Sequence, residues 1–159
     1  MTHFYVLLVA LGIGAIAGLR TFTAPAVVAW AAVLHWINLN GTWASWVGNL
    51  ITAIVFSVLA LGELFLDKQP KTLARTSPPA FIGRILSGGF AGAVIGTVWG
   101  VTWSALGAGV VGAVLGTMAG YQGRATFSAK LGRDLPVALV EDVIAVGGGF
   151  ALAAVTAAL

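Results

Sequence analysis

The sequence predicts an all-α fold: a polytopic integral membrane bundle of about six short spans paired into three hairpins. Three observations predict it. Hydrophobic residues make up 59% of the 159-residue chain and charged residues only 8%, against about 25% charged in soluble domains. All eight basic residues (Arg20, Lys68, Lys71, Arg75, Arg84, Arg124, Lys130 and Arg133) lie in or beside three gaps between apolar runs. Cytoplasmic loops collect Lys and Arg, so these gaps belong on one membrane face. Five of the six tryptophans, Trp36, Trp43, Trp46, Trp99 and Trp103, sit at the other turns, where indoles favour the headgroup level of the opposite face. The expected topology has both termini outside the cytoplasm.

The elements follow in order. The run 4–19 has no basic residue before it, so it reads as a retained helix rather than a cleaved signal peptide. The run 24–36 makes a helix of only about 20 Å, against about 30 Å of hydrocarbon. It must stand nearly upright, thin the bilayer, or form a half-span in a re-entrant hairpin. Fusing 4–36 into one bent helix would strand Arg20 near the bilayer centre at about 3 kcal/mol or more, so a hairpin is preferred. The runs 44–66, 78–99, 104–121 and 135–158 complete a single transmembrane domain, 1–159, with hairpins at about 4–36, 44–99 and 104–158. Each returning helix opens on a polar residue two places before a proline: Thr23-Ala-Pro25, Ser77-Pro-Pro79 and Asp134-Leu-Pro136. Such side chains accept hydrogen bonds from first-turn amides, and proline loses no bond there.

That spacing suggests a hairpin repeated three times. A second echo, Gly18-Leu-Arg-Thr-Phe-Thr-Ala24 against Gly123-Arg-Ala-Thr-Phe-Ser-Ala129, supports the repeat. Glycines recur every four residues at Gly88, Gly92, Gly96 and Gly100, at Gly112, Gly116 and Gly120, and at Gly14 and Gly18. Such rows let helix backbones approach closely in lipid, within the bundle or across a homo-oligomer interface. Gly107-Ala-Gly109-Val-Val-Gly112 matches the dinucleotide fingerprint in letters, but no strand precedes it, so it reads as packing.

Several classes are excluded or disfavoured. With no cysteine there is no disulfide, iron–sulfur cluster, thiolate metal site or covalent haem. His3 and His35 are too few for a histidine-rich metal centre, and no cofactor or metal is expected. Eight bases spread over three gaps make a poor nucleic-acid footprint, whereas anionic headgroups suit them. No nucleophile–base pair is present, so an enzyme is not expected.

The ionisable residues inside the spans carry the functional question. Arg84 lies five residues beyond Pro79, Glu141 lies five beyond Pro136 with Asp142 next, and Glu63 precedes Asp67 by four. Each sits roughly 7–9 Å from its helix end, where a charge must pair or face a polar cavity. One reading is a set of packing ion pairs, Arg84 with Glu141, Asp142 or Glu63, in a structural or assembly protein. The other is a cytoplasm-facing vestibule for a small anionic or phospholipid-like substrate. In it Arg20, Arg84 and Arg124 hold the anion, because the guanidinium fork grips oxyanions. Glu63, Glu141 and Asp142 couple or pair, and three helix N-termini on that face add positive dipole ends. The second reading implies a small transporter, channel or lipid-handling protein.

The segments Gly18-Leu-Arg-Thr-Phe-Thr-Ala-Pro25, Glu63…Leu66-Asp67-Lys68-Gln-Pro70 and Arg84…Gly88-Gly89 resemble a family of small bacterial integral membrane proteins, domain of unknown function 4126. The resemblance implies a multi-pass protein of the bacterial inner membrane and adds no activity.

Overall fold

A computed structural model describes residues 2–66 and 77–159. Lys68, Lys71, Arg75 and the Asp67-Lys68 pair lie outside the described residues. Among the described residues there are six α-helices: α1 (Thr2–Leu19), α2 (Thr23–Val33), α3 (Leu50–Leu66), α4 (Pro78–Val98), α5 (Thr102–Leu131) and α6 (Leu135–Thr156), with a short 3-10 helix at Ser45–Gly48. The all-helical expectation holds. Four of the six, α1, α4, α5 and α6, are long and apolar enough to cross a membrane, while α2 and α3 are shorter apolar helices.

The core is a trio, α1, α4 and α5, packed on one another along the glycine rows. A Cβ added to Gly112 or Gly116 of α5 would overlap the carbonyl oxygen of Leu11 or Ala15 on α1. One added to Gly92 of α4 would overlap that of Ala105 on α5. Backbone therefore lies on backbone, the arrangement small residues permit where lipid removes the hydrophobic drive between helices. Gly109 and Gly112, the two glycines of the fingerprint match that pack, are spent here against Gly88 and Leu11. Gly100 leaves its row, because it turns the chain between α4 and α5 at φ 71°.

Adjacency in sequence does not by itself decide packing: α4 lies along α5, but two other consecutive pairs barely meet. α5 and α6 touch little, and so do α1 and α2; α6 rests on α1 and α2, and α2 rests on α3, α6 and α4. The chain nevertheless turns back after α1. Ile16 and Val27, on either side of the turn, both approach Gly149 of α6, so 4–36 is a hairpin and not one bent helix.

The short second helix runs 23–33, about 17 Å, and eight of its eleven residues are buried. A helix apolar on all sides belongs inside a bundle. It ends because His35 takes the left-handed conformation, φ 61°. Its amide donates to the carbonyl of Ala32 and that of Trp36 to Ala31, a Schellman termination. Residues 34–49 then run without an α-helix, with one 3-10 turn at Ser45–Gly48, burying Ile37, Leu39, Ala44 and Val47. The apolar run from 44 thus becomes helical only at Leu50. Trp43 and Trp46 explain the delay: with Phe56 and Phe90 they form a ring cluster at centroid distances of 5.8–6.4 Å. Trp43 also donates its Nε1–H to Thr97 Oγ1 at 2.9 Å. A histidine at positive φ is strained, so His35→Gly is expected to stabilise the fold by about 1 kcal/mol, read from the chemical-denaturation midpoint in detergent.

Two expectations are corrected. None of the three polar residues caps its helix: Thr23 is already inside α2, and Ser77 and Asp134 make no side-chain bond to a first-turn amide. Asp134 is committed to Arg124 and Ser128 instead. The seven-residue echo also splits. Its first copy crosses the end of α1, whereas Gly123–Ala129 is continuous α5, which runs to Leu131 rather than stopping near 121. There the left-handed Gly132, φ 63°, closes it with an amide bond to Ser128.

Candidate functional site

The break between α1 and α2, Gly18–Phe22, is where the polar side chains converge. In an uninterrupted helix the amides of Thr21 and Phe22 would bond to the carbonyls of Ala17 and Gly18. Here they donate to Glu63 of α3 instead, Thr21 to Oε1 at 2.7 Å and Phe22 to Oε2 at 2.8 Å. The Gly18 carbonyl accepts from Arg84 Nη1 of α4 at 3.2 Å and lies 3.2 Å from Thr117 Oγ1 of α5, whose single proton is shared with the nearer Ala113 carbonyl at 2.8 Å. Ser87 Oγ of α4 donates to the Thr21 carbonyl. Arg20 Nη2 meets Asp142 Oδ1 of α6 at 2.5 Å. Each of the other four helices thus places a polar group on the break. Non-helical backbone inside an apolar bundle survives only when its amides and carbonyls are satisfied in this way.

The electrostatics follow from the same geometry. Arg20 is fully buried, and Arg84, Glu141 and Asp142 are at most 8% exposed. Charges so far from water must be compensated within the bundle. The Glu63 carboxylate lies at the positive end of the α2 dipole, which favours an anion there. Glu63, Thr21 and Phe22 are only half-buried, so this side of the break borders the surface.

Arg124 stands apart, on the long C-terminal part of α5. It pairs with Asp134 through Nε and Nη2 while sharing a cleft of about 250 Å³ between α5 and α6 with Leu19, Phe127, Val137 and Glu141. Of the six residues singled out from the sequence, Arg20, Glu63, Arg84 and Asp142 therefore meet at the break. Glu141 follows on α6 and faces the cleft with Arg124. Arg20 pairs with Asp142, a pair not singled out from the sequence, and Arg84 donates to the Gly18 carbonyl.

Sequence reading missed Ser87, Thr117 and the backbone groups of the break. Ser87 carried a signal, being one helical turn beyond Arg84 on the same face. Thr117 carried another, next to Gly116 in a row that lets α5 reach α1. At the opposite end a cleft of about 660 Å³ between Trp43, Phe90 and Trp103 has an apolar lining without ionisable groups. No group of three or more potential metal ligands occurs among the described residues.

The family model for domain of unknown function 4126 matches residues 7–158. The chain belongs to that family. The match runs from the second turn of α1 to the end of α6, so the break and all its polar partners lie within the family's domain. No curated protein and no solved structure matches the chain.

Proposed function

We propose that this protein is a small multi-pass protein of the bacterial inner membrane that binds an anionic group, free or on a lipid headgroup, at the charged cluster around the α1–α2 break. A transporter, channel or lipid-handling role follows from such binding. The observation that carries the proposal is the burial of Arg20, Arg84, Glu141 and Asp142 at a helix break in an otherwise apolar bundle. Intramembrane charges are costly to keep, and broken helices at buried charges are a way transporters build substrate sites. Arg20 and Arg84 contact the anion, with Arg124 at the cleft mouth. Glu63, Glu141 and Asp142 balance or couple it. The one-sided Lys and Arg residues support a cytoplasm-facing opening with both termini outside.

A second reading has its own support. The Arg20–Asp142 pair and the bonds from Glu63 to the break would equally fasten helices in a structural or assembly protein. Exchanging charges separates the two. With Arg84→Glu and Glu141→Arg combined, the site reading expects a folded protein that no longer binds phosphate or phosphatidylglycerol by native mass spectrometry. Unchanged binding in the folded double variant would sink it, as would a native protein that binds no anion.

Sidedness has a direct test because the chain has no cysteine. Asn40 and Arg133 are both exposed, at the tryptophan end and in the α5–α6 turn. An impermeant maleimide added to intact cells is expected to label Asn40→Cys and spare Arg133→Cys. The reverse pattern would overturn the orientation.

A further inference from the structure

We propose that the backbone break leading into α2 is an exchange site for an oxyanion, with phosphate chemistry preferred, which Glu63 fills in cis. The inference rests on the anion-handling function above and says where the anion sits. An anion is already bound there: two backbone amides freed by the break, those of Thr21 and Phe22, each take one oxygen of the Glu63 carboxylate. Amides at the start of a helix, together with its dipole, hold phosphate by the same chemistry. The carboxylate has two oxygens, and both are used.

A third donor stands in the same turn with no acceptor. Thr23 is 3% exposed, and its Oγ1 has no hydrogen-bond partner among the described residues. Buried hydroxyls are almost always paired, so this one points to an acceptor that Glu63 does not supply. A phosphate group seated on the two amides has a further oxygen to offer Thr23. A planar carboxylate has no third oxygen, which is why tetrahedral phosphate chemistry is preferred. Arg20, the residue before Thr21, and Arg84 on the Gly18 carbonyl bring positive charge to the same break.

Glu63 is also placed to leave. It comes from α3, which has a single buried residue, Ala53, and which packs mainly on α2. Apart from Glu63, a hydrogen bond from Trp30 Nε1 to Ser57 Oγ, 2.9 Å, ties the two helices nearer the other end. A carboxylate tethered in this way competes with a free anion through its effective concentration, in the millimolar range for a short tether.

The experiment follows the Thr21 and Phe22 amide signals of ¹⁵N-labelled protein in nanodiscs. Inorganic phosphate is titrated in phosphatidylcholine discs, and phosphatidylglycerol replaces the host lipid in a second arm. In Glu63→Ala, both amides are expected to shift at a phosphate concentration about tenfold or more below that needed by the native protein. Adding Thr23→Val should weaken that response about threefold to tenfold. A shift with phosphatidylglycerol alone assigns the site to a lipid headgroup, and a shift with phosphate assigns it to a soluble anion. If Glu63→Ala does not fold, Glu63→Gln, which keeps an acceptor oxygen without the charge, makes the same comparison. Amides unmoved by either probe in the folded variant overturn the inference. Shifts confined to the Arg124 cleft overturn it too, yet leave the proposed anion-handling function standing.

Discussion

Gly112→Ala is expected to cost roughly 3 kcal/mol or more, although it adds one methyl group. The new Cβ would fall on the Leu11 carbonyl oxygen and crowd the Ala15 amide, so α1 and α5 must separate along their whole contact. Overpacking usually costs about 1–3 kcal/mol because side chains can give; here the obstacle is backbone, which cannot. Gly107→Ala is the matched control. It lies in the same helix and the same fingerprint match, with nothing near its added Cβ. Its stability should be unchanged or raised by up to about 1 kcal/mol, the gain from removing a helical glycine. Denaturant titration of both variants in one detergent decides the matter, and equal losses would refute the glycine-packed core.

The second large effect is expected at the Arg20–Asp142 pair. Asp142→Leu removes the carboxylate facing a fully buried guanidinium, and breaking a buried pair from one side costs about 3–5 kcal/mol. Arg20→Met should cost a similar amount. Most of either loss is the penalty of the charge left behind, so the two are not additive. The double-mutant cycle should return a coupling of about 1–3 kcal/mol. Additive losses would mean that the two side chains do not act as a pair. Binding measured on the double variant then gives an independent reading. A stable protein that has lost anion binding marks the pair as part of the site, whereas retained binding marks it as a fastening.

Much of the fold was legible because lipid imposes one-dimensional rules. Apolar length, Lys and Arg gathered in three gaps, and tryptophans at the other turns are local properties of the chain, and they located the six helices of the described residues. The four-residue glycine spacing likewise announced close packing at Gly88, Gly92, Gly112 and Gly116, since a helix puts such residues on one face. It did not announce which helices would meet. The candidate site was half legible: Arg20, Glu63, Arg84 and Asp142 stood out because ionisable groups are rare in apolar runs. Their partners did not stand out, because three of those partners are backbone groups of Gly18, Thr21 and Phe22, which carry no sequence signature.

The hydrogen-bonding reason also explains where sequence reasoning failed. Thr23, Ser77 and Asp134 looked like helix caps because each has a suitable acceptor at the right offset. Capping is a competition, however, and tertiary partners outbid local ones. Asp134 accepts from Arg124 and Ser128, and the amides of Thr21 and Phe22, just before α2, are taken by Glu63, 42 and 41 residues away in sequence. The paired segments at 18–24 and 123–129 make the same point. Their letters are similar, but only the first has a carboxylate seated on its amides, and only the first leaves the helix.

The sequence by itself determined that this protein is a bundle of apolar helices, where those helices run, and which few residues had to find polar company. Those are consequences of composition and period, which lipid reads directly. Only the tertiary structure decided that α1, α4 and α5 form the packed core. It alone decided that α2 is a buried half-length helix, and that the break before it gathers polar side chains from α3, α4, α5 and α6. Close approach of backbones and capture of a free amide depend on atoms brought together across the chain, and no local pattern encodes them.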